Sequence, residues 1–307
     1  MKRLPDYLKR QIIDTDKTKN VRSILKHNCL NTVCENARCP NKNECYQKNT
    51  ATFLIMGNVC TRNCRYCNIG CERPEPLDVD EPKHLAKAVS ELGLKYSVIT
   101  SVTRDDLPDG GANHFAQTIK EIRKISPETK IEILTPDFKG DEDALNTIIK
   151  AHPDVFNHNI ETVERLFKTA RPQGNYRRSL EVLKYIKDNS DIPTKSGMMV
   201  GLGENQEDIK QTLADLRSVG CDILTIGQYI QPSKQHLEVE KYYTEDEFED
   251  LKELAKQAGF EKYQIAPLVR SSYNAFKLFN EFIFWIPNNP CLIILRTVLI
   301  LNDQLTY

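Results

Sequence analysis

From residue 51 onward, short apolar runs alternate with amphipathic stretches, and few folds accommodate that alternation. "TFLIMG" (52–57), "YSVITSV" (96–102), "IEILTP" (131–136), "DVFNHNI" (154–160), "SGMMVGL" (196–202) and "DILTIGQYI" (222–230) read as strands. Between them, residues 112–125 place Phe115, Ile119 and Ile122 on one helical face. Residues 205–218 repeat this with Ile209, Leu213 and Leu216, and Gly220 supplies a stop. "TEDEFEDLKELAKQAGF" opens with a Thr244-to-Glu247 capping box, carries Phe248, Leu251, Leu254 and Ala255, and ends at Gly259. Strand–helix repetition of this kind means βαβ units and a parallel sheet. Six repeats predict an α/β fold: a partial (β/α)6 TIM-type barrel, with chemistry on the loops after the strand C-terminal ends.

The barrel is expected over residues 51–276. Before it, residues 1–50 are polar and broken by Asn, Cys and Pro, and read as an irregular, cysteine-bearing N-terminal extension. After it, residues 277–307 form a hydrophobic C-terminal segment of unassigned role. Its stretch "FIFWIPNNPCLIILRTVLIL" (282–301) has about the length of a membrane span, but Pro287 and Pro290 break its start and Arg296 interrupts the rest. A hydrophobic terminal helix, or a tail outside the core activity, is the preferred reading, and membrane insertion is disfavoured. The N-terminus lacks the apolar core of a secretory signal, and Asp6, Asp14 and Asp16 suit a transit peptide poorly; the chain reads as cytoplasmic. A net charge of -1 argues against a nucleic-acid partner held by bulk electrostatics.

Seven of the ten cysteines lie between Cys34 and Cys71. In a chain long enough to bury a core, such crowding points to metal binding or chemistry rather than to a disulfide scaffold. Cys29, Cys221 and Cys291 stand apart and read as small buried hydrophobes or inert thiols. "CTRNCRYC" (60–67) is C-x3-C-x2-C, directly after the first barrel strand. Three thiolates from one loop can wrap a compact cluster, leaving one iron open to a small molecule. "CENARCPNKNEC" (34–45) is C-x4-C-x5-C and also lacks a fourth cysteine nearby. Spacing alone leaves two alternatives open. Cys34 and Cys39 could join Cys64 and Cys67 in a zinc site, or Cys71 could close a four-cysteine, electron-transfer cluster with Cys60, Cys64 and Cys67.

The C-x3-C-x2-C loop resembles that of radical S-adenosylmethionine enzymes, whose open iron chelates the methionine amine and carboxylate. The two cysteine runs together closely resemble the lipoyl synthase family. So do "TSVTRDDLPDGGANHFAQTI" (100–119), "PDF" (136–138), "FNHNIETVERLF" (156–167), "RPQGNYRRSL" (171–180), "KSGMMVGLGE" (195–204), "QYIQPSKQHLEV" (228–239) and "VRSSY" (269–273), in order. The resemblance runs from "RLPDYLKR" to about Phe276. It departs at "CERP", where Glu72 stands in place of a usual glycine, and after Phe276.

The resemblance implies a sulfurtransferase that inserts two sulfur atoms, at C6 and C8 of an octanoyl chain. It implies two 4Fe-4S clusters. One, on Cys60, Cys64 and Cys67, cleaves S-adenosylmethionine to a 5′-deoxyadenosyl radical; the other, an auxiliary cluster on Cys34, Cys39, Cys45 and Ser272, is consumed as sulfur donor. An unactivated C–H bond has no acidic proton, so a cofactor-borne radical must open it. Tyr66 is expected near the adenine. Ser101, Asn159 and Glu161, at strand ends, are expected to meet the amino-acid or ribose groups of S-adenosylmethionine, and Arg171, after the following helix, to meet a carboxylate. The implied partners are octanoylated lipoyl carrier proteins (E2 lipoyl domains and the glycine-cleavage H protein), a flavodoxin- or ferredoxin-type electron donor, and an iron–sulfur carrier that rebuilds the spent cluster. Two further stretches carry blander expectations: the carboxylates of "TRDDLPDGG" read as solvated, and "GLGE" is a poor dinucleotide fingerprint.

Overall fold

The computed structural model describes residues 2–10 and 15–283. Among these residues ten strands form, in chain order: β1 (Asn31–Thr32), β2 (Thr52–Ile55), β3 (Val59–Cys60), β4 (Gly70–Cys71), β5 (Tyr96–Ser101), β6 (Lys130–Leu134), β7 (Val155–Asn157), β8 (Thr194–Val200), β9 (Ile223–Gln228) and β10 (Lys262–Ile265). The helices are α1 (Asp16–His27), α2 (Val33–Asn36), α3 (Lys42–Gln47), α4 (Glu81–Glu91), α5 (Ala112–Ile125), α6 (Glu142–Ala151), α7 (Glu164–Ala170), α8 (Tyr176–Asn189), α9 (Gln206–Ser218), α10 (Glu245–Gln257) and α11 (Ala275–Ile283).

The main sheet runs β1-β2-β5-β6-β7-β8-β9-β10, with β1 antiparallel to β2 and every later neighbour parallel. All six strands read from the sequence are present, in a partial barrel. One more parallel strand, β10, follows them and pairs Ile265 with Ile226 of β9. The helices bury the stripes that their spacing dictates: Phe115, Ile119 and Ile122 on α5, and Ile209, Leu213 and Leu216 on α9. Thr244 caps α10 as the capping box requires, its hydroxyl accepting from the Glu247 N–H. Inside the barrel, Glu132 accepts from Lys195 (2.8 Å), Tyr96 (2.6 Å) and Asn157 (2.9 Å). This buried charge is tolerated because its lone pairs are satisfied from three neighbouring strands.

The sheet does not close on itself: β1 and β10 are its two edges. The extension lies against this seam. Its α1 starts at a Thr15–Thr18 capping box and buries Val21 and Leu25, a local order that its polar composition concealed. Three contacts then tie the extension and β2 to the segment after β10. The Asn41 amide donates to the Leu268 carbonyl (2.7 Å), the Tyr273 hydroxyl to Glu44 (2.9 Å) and the Thr52 hydroxyl to Ser272 (2.8 Å). Beyond it, α11 places Leu278 and Phe279 against Tyr96, Val155 and Ile223, the first residues of β5, β7 and β9. The reading of residues 277–307 as a separate tail falls, from residue 284 on, outside the described residues. Among those described, no helix is long and apolar enough to cross a membrane.

Candidate active site

The C-x3-C-x2-C loop leaves β2 and is held from several sides. The Cys60 sulfur accepts from the backbone N–H of Arg62 (3.4 Å) and of Thr103 (3.3 Å). Such N–H···S bonds stabilise a thiolate and tune the potential of any cluster it ligates. Between the first two cysteines, the Arg62 side chain turns inward and is 4% exposed. It donates to Asp105 (2.7 and 2.9 Å) after β5 and to Asp137 (2.7 Å) after β6. Burial opposes ionisation of Asp137, but the hydrogen bond and charge of Arg62 outweigh it and hold that carboxyl well below the usual range. The carboxylates of "TRDDLPDGG" are therefore not simply solvated. Asp105 anchors the cysteine loop, and Asp109 accepts from Gly111 N and Asn113 N at the start of α5. On the other side, His236 donates through Nε2 to the Cys67 carbonyl (2.9 Å), since a carbonyl can only accept. Its Nδ1 then accepts from the Ser233 hydroxyl (2.8 Å).

Beside this loop stands a wall of polar side chains. Asn159 and Glu161 follow β7, and Glu161 takes a left-handed backbone (φ 69°) that holds it against β8 through a bridge to Met198. For a residue with a Cβ this is a strained conformation, of the kind that concentrates at functional sites. Burial raises the pKa of the Glu161 carboxyl, with the nearby Arg171 guanidinium, Asn159 and Tyr66 opposing. Arg171 itself is 8% exposed, donates to the Asn159 carbonyl (3.2 Å) and lies over the Phe167 ring (5.3 Å). Burial likewise raises the Cys64 thiol, with the Arg171 guanidinium opposing and the Glu161 carboxyl adding to it. Tyr66 packs against the apolar patch of Leu202, Tyr229 and Val239. The expected residues Cys64, Tyr66, Asn159, Glu161 and Arg171 thus form one neighbourhood. Ser101 ends β5, two residues before the Thr103 that bonds Cys60. Both Ser101 Oγ and Arg171 Nε are buried without a hydrogen-bond partner. Such orphans are costly unless a ligand answers them, so the wall fits a polar ligand in front of the cysteine loop.

The upstream cysteines form a second, separate group. Cys34 lies on α2 and Cys45 on α3, with Cys39 between. Burial pushes the Cys34 thiol up to about 12, with Cys39 and Cys45 as its cysteine neighbours. Burial likewise lifts Cys45 to about 11, beside Cys39. In the loop triad, burial raises Cys67 to about 12, and its cysteine neighbours are Cys64 and Cys60. The cysteines that act most on each of these thiols are those of its own triad. Among the described residues, no three His, Cys, Asp or Glu converge tightly enough to hold a single metal ion. A cubane, which spreads its thiolates over several irons, does not require that convergence. Thiols raised by burial suit metal ligands, because coordination itself ionises them.

Thr52 joins the upstream triad to Ser272. It lies against the Cys34 thiol through its backbone and hydroxyl, and that hydroxyl donates to Ser272 Oγ. Ser272 therefore stands beside the upstream triad although some 230 residues separate it from those cysteines. Thr52 and Arg62 were not marked by sequence reasoning. Thr52 opens a strand and looks like an ordinary β residue; Arg62 offered a signal in being the single arginine between the first two cysteines of the loop. Cys71 lies exposed, opposite Cys60 in the β3–β4 pair. "GLGE" is an internal turn rather than a cofactor cradle: Glu204 accepts from the backbone N–H of Gly201 (2.6 Å) and Leu202 (2.9 Å).

A partial parallel barrel with a three-cysteine loop after its first strand defines a class, the radical S-adenosylmethionine enzymes. The Radical SAM superfamily model matches residues 54–216. The fold is similar to that of solved structures: Streptococcus suis SuiB has a TM-score of 0.54 at 12% identity, over 84% of this chain and 56% of that one. Methylornithine synthase has a TM-score of 0.51 at 14% identity, over 78% and 73%. Two curated relatives are nearer. Lipoyl synthase of Caldanaerobacter subterraneus subsp. tengcongensis is 50% identical over 89% of this chain and 96% of its own length. Lipoyl synthase of Rubrobacter xylanophilus is 53% identical over 88% and 85%. The chain belongs to the lipoyl synthase family.

Proposed function

We propose that the chain is a lipoyl synthase that inserts sulfur at C6 and C8 of the octanoyl group carried by lipoyl carrier proteins. The observation that carries this reading is the joint presence of two cysteine triads and a serine hydroxyl bonded to Thr52, the neighbour of Cys34. Cys60, Cys64 and Cys67 would hold the 4Fe-4S cluster that binds S-adenosylmethionine; Cys34, Cys39, Cys45 and Ser272 would hold a second, auxiliary 4Fe-4S cluster. When bound, the first supplies reductive cleavage of S-adenosylmethionine and the second supplies sulfur.

The protein's own part is binding, orientation and exclusion of water. Arg171 offers its orphaned Nε–H to a carboxylate, a charge-assisted bond at a desolvated position. Ser101 offers a hydroxyl at the end of β5. Asn159 and Glu161 face the same space as Cys64, and Tyr66 offers a ring backed by Tyr229 and Leu202 where an adenine can stack. Arg62 fixes the loop to two strand ends, so that ligation does not depend on a mobile segment. Ser272 is a hard, weakly held oxygen donor, suited to a cluster that must come apart. Cys71 reads as a bystander, because the Glu161–Arg171 wall beside Cys64 calls for an open iron rather than a fourth thiolate. A flavodoxin- or ferredoxin-type donor would reduce the site, and an iron–sulfur carrier would rebuild the auxiliary cluster.

The test is direct. Anaerobically assembled protein, given S-adenosylmethionine, reductant and an octanoyl-lysine peptide, should yield the dithiolated lipoyl peptide. Cleavage of S-adenosylmethionine without any thiolated peptide would instead assign the chain to another two-cluster radical reaction.

A further inference from the structure

Three consecutive residues after β10 reach both halves of the site. Arg270 has the charges of Cys39 and Glu161 about it. Ser271 Oγ donates to Asn159 Oδ1 (2.8 Å). Ser272 Oγ accepts from Thr52, beside Cys34. The proposed function uses Ser272 and Asn159 but gives Ser271 no part.

The Asn159 amide can present either its oxygen or its nitrogen to a given neighbour, and the two orientations have almost the same shape. Here both ends are committed. Oδ1 accepts from Ser271, and Nδ2 donates to Glu161 Oε1 (3.2 Å). The remaining Nδ2 hydrogen is the one left for a ligand, and it is a donor suited to a carboxylate. Flipping the amide would turn Oδ1 onto the Glu161 carboxyl, acceptor against acceptor. Glu161 thus disfavours the wrong orientation, and Ser271 holds the right one in place. The space for this contact is built in: a Cβ on Gly197 of β8 would come within 2.8 Å of both Asn159 Oδ1 and Ser271 Oγ, and 2.5 Å of Thr225 Oγ1. Only glycine at position 197 lets the hydroxyl and the amide meet.

We propose that Ser271 is a positioning residue: it fixes the amide orientation of Asn159, so that Nδ2 presents its free hydrogen to the carboxylate of S-adenosylmethionine. The inference rests on the reading that Asn159 meets that ligand, and it is tested by S-adenosylmethionine binding to anaerobically assembled protein, alongside the KM for each substrate. Ser271→Ala should weaken S-adenosylmethionine binding about tenfold, a loss of about 1.4 kcal/mol. KM for the octanoyl peptide and iron per chain should stay unchanged. Ser271→Thr, which keeps the hydroxyl, should bind within about twofold of wild type. Gly197→Ala, which replaces neither polar residue but presses a methyl against both, should reproduce the Ser271→Ala loss. If Asn159→Ala weakens binding while Ser271→Ala stays within twofold of wild type, the positioning role is overturned and the Asn159 reading survives. If Asn159→Ala itself binds normally, both fall. A Ser271→Ala protein that loses iron, yet binds S-adenosylmethionine normally per remaining cluster, would also overturn the proposal.

Discussion

Ser272→Ala should leave S-adenosylmethionine cleavage intact while lowering doubly thiolated product by on the order of a hundredfold. The two activities separate because the residues that serve them are separate. On the proposed roles, cleavage would depend on the Cys60, Cys64 and Cys67 loop and its wall, which the Ser272 neighbours Arg270 and Ser271 reach through Glu161 and Asn159. On the same proposed roles, sulfur delivery would depend on the upstream triad, beside which the Thr52 hydroxyl donates to Ser272 Oγ at 2.8 Å. Alanine removes that oxygen, and nothing else in the side chain is lost. The readout is the ratio of 5′-deoxyadenosine to lipoyl product. Wild-type product yield from the variant would remove Ser272 from the mechanism.

Arg62→Ala should cost about 3–5 kcal/mol of stability, the penalty for stranding a buried partner charge. Both groups are inaccessible, with side-chain exposures of 3% for Arg62 and 1% for Asp137. Removing the guanidinium leaves Asp137 with the more distant Arg178 (3.6 Å) as its ion-pair partner. The melting temperature should fall on the order of 10 °C. Because Arg62 lies inside the cysteine loop, iron should be lost from that loop's cluster and retained by the upstream one. Adding Asp137→Asn should recover part of the loss, since the stranded charge is then gone. An unchanged melting temperature in Arg62→Ala would mean the pair does not anchor the loop.

What was legible in the sequence follows from range. The six strands declared themselves through apolar runs, and α5, α9 and α10 through spacing and caps, because these signals are local. β10 escaped notice because Lys262, Tyr263 and Gln264 are only partly buried and Ile265 alone is fully so; no apolar run marks it. The two cysteine triads were legible as motifs, but their separation was not, since spacing equally allowed a shared zinc site. Their assignment to two clusters came from the family resemblance. Contacts across the seam, such as Asn41 with Leu268 and Glu44 with Tyr273, join residues more than 220 positions apart. No local pattern announces them. Ser272 came from family resemblance alone; as a bare serine pair beside a tyrosine it reads as a turn. The structure adds the physical reason for attending to it, a hydroxyl bonded to the threonine that backs Cys34.

Two triads that hold two different clusters make a definite iron count. Anaerobically assembled wild-type chain should contain about eight irons. Replacing Cys34, Cys39 and Cys45 together with alanine should leave about four, and so should replacing Cys60, Cys64 and Cys67. If the wild-type chain held only about four irons, or if either triple replacement emptied the protein of iron, the two triads would belong to one centre and the account would be contradicted.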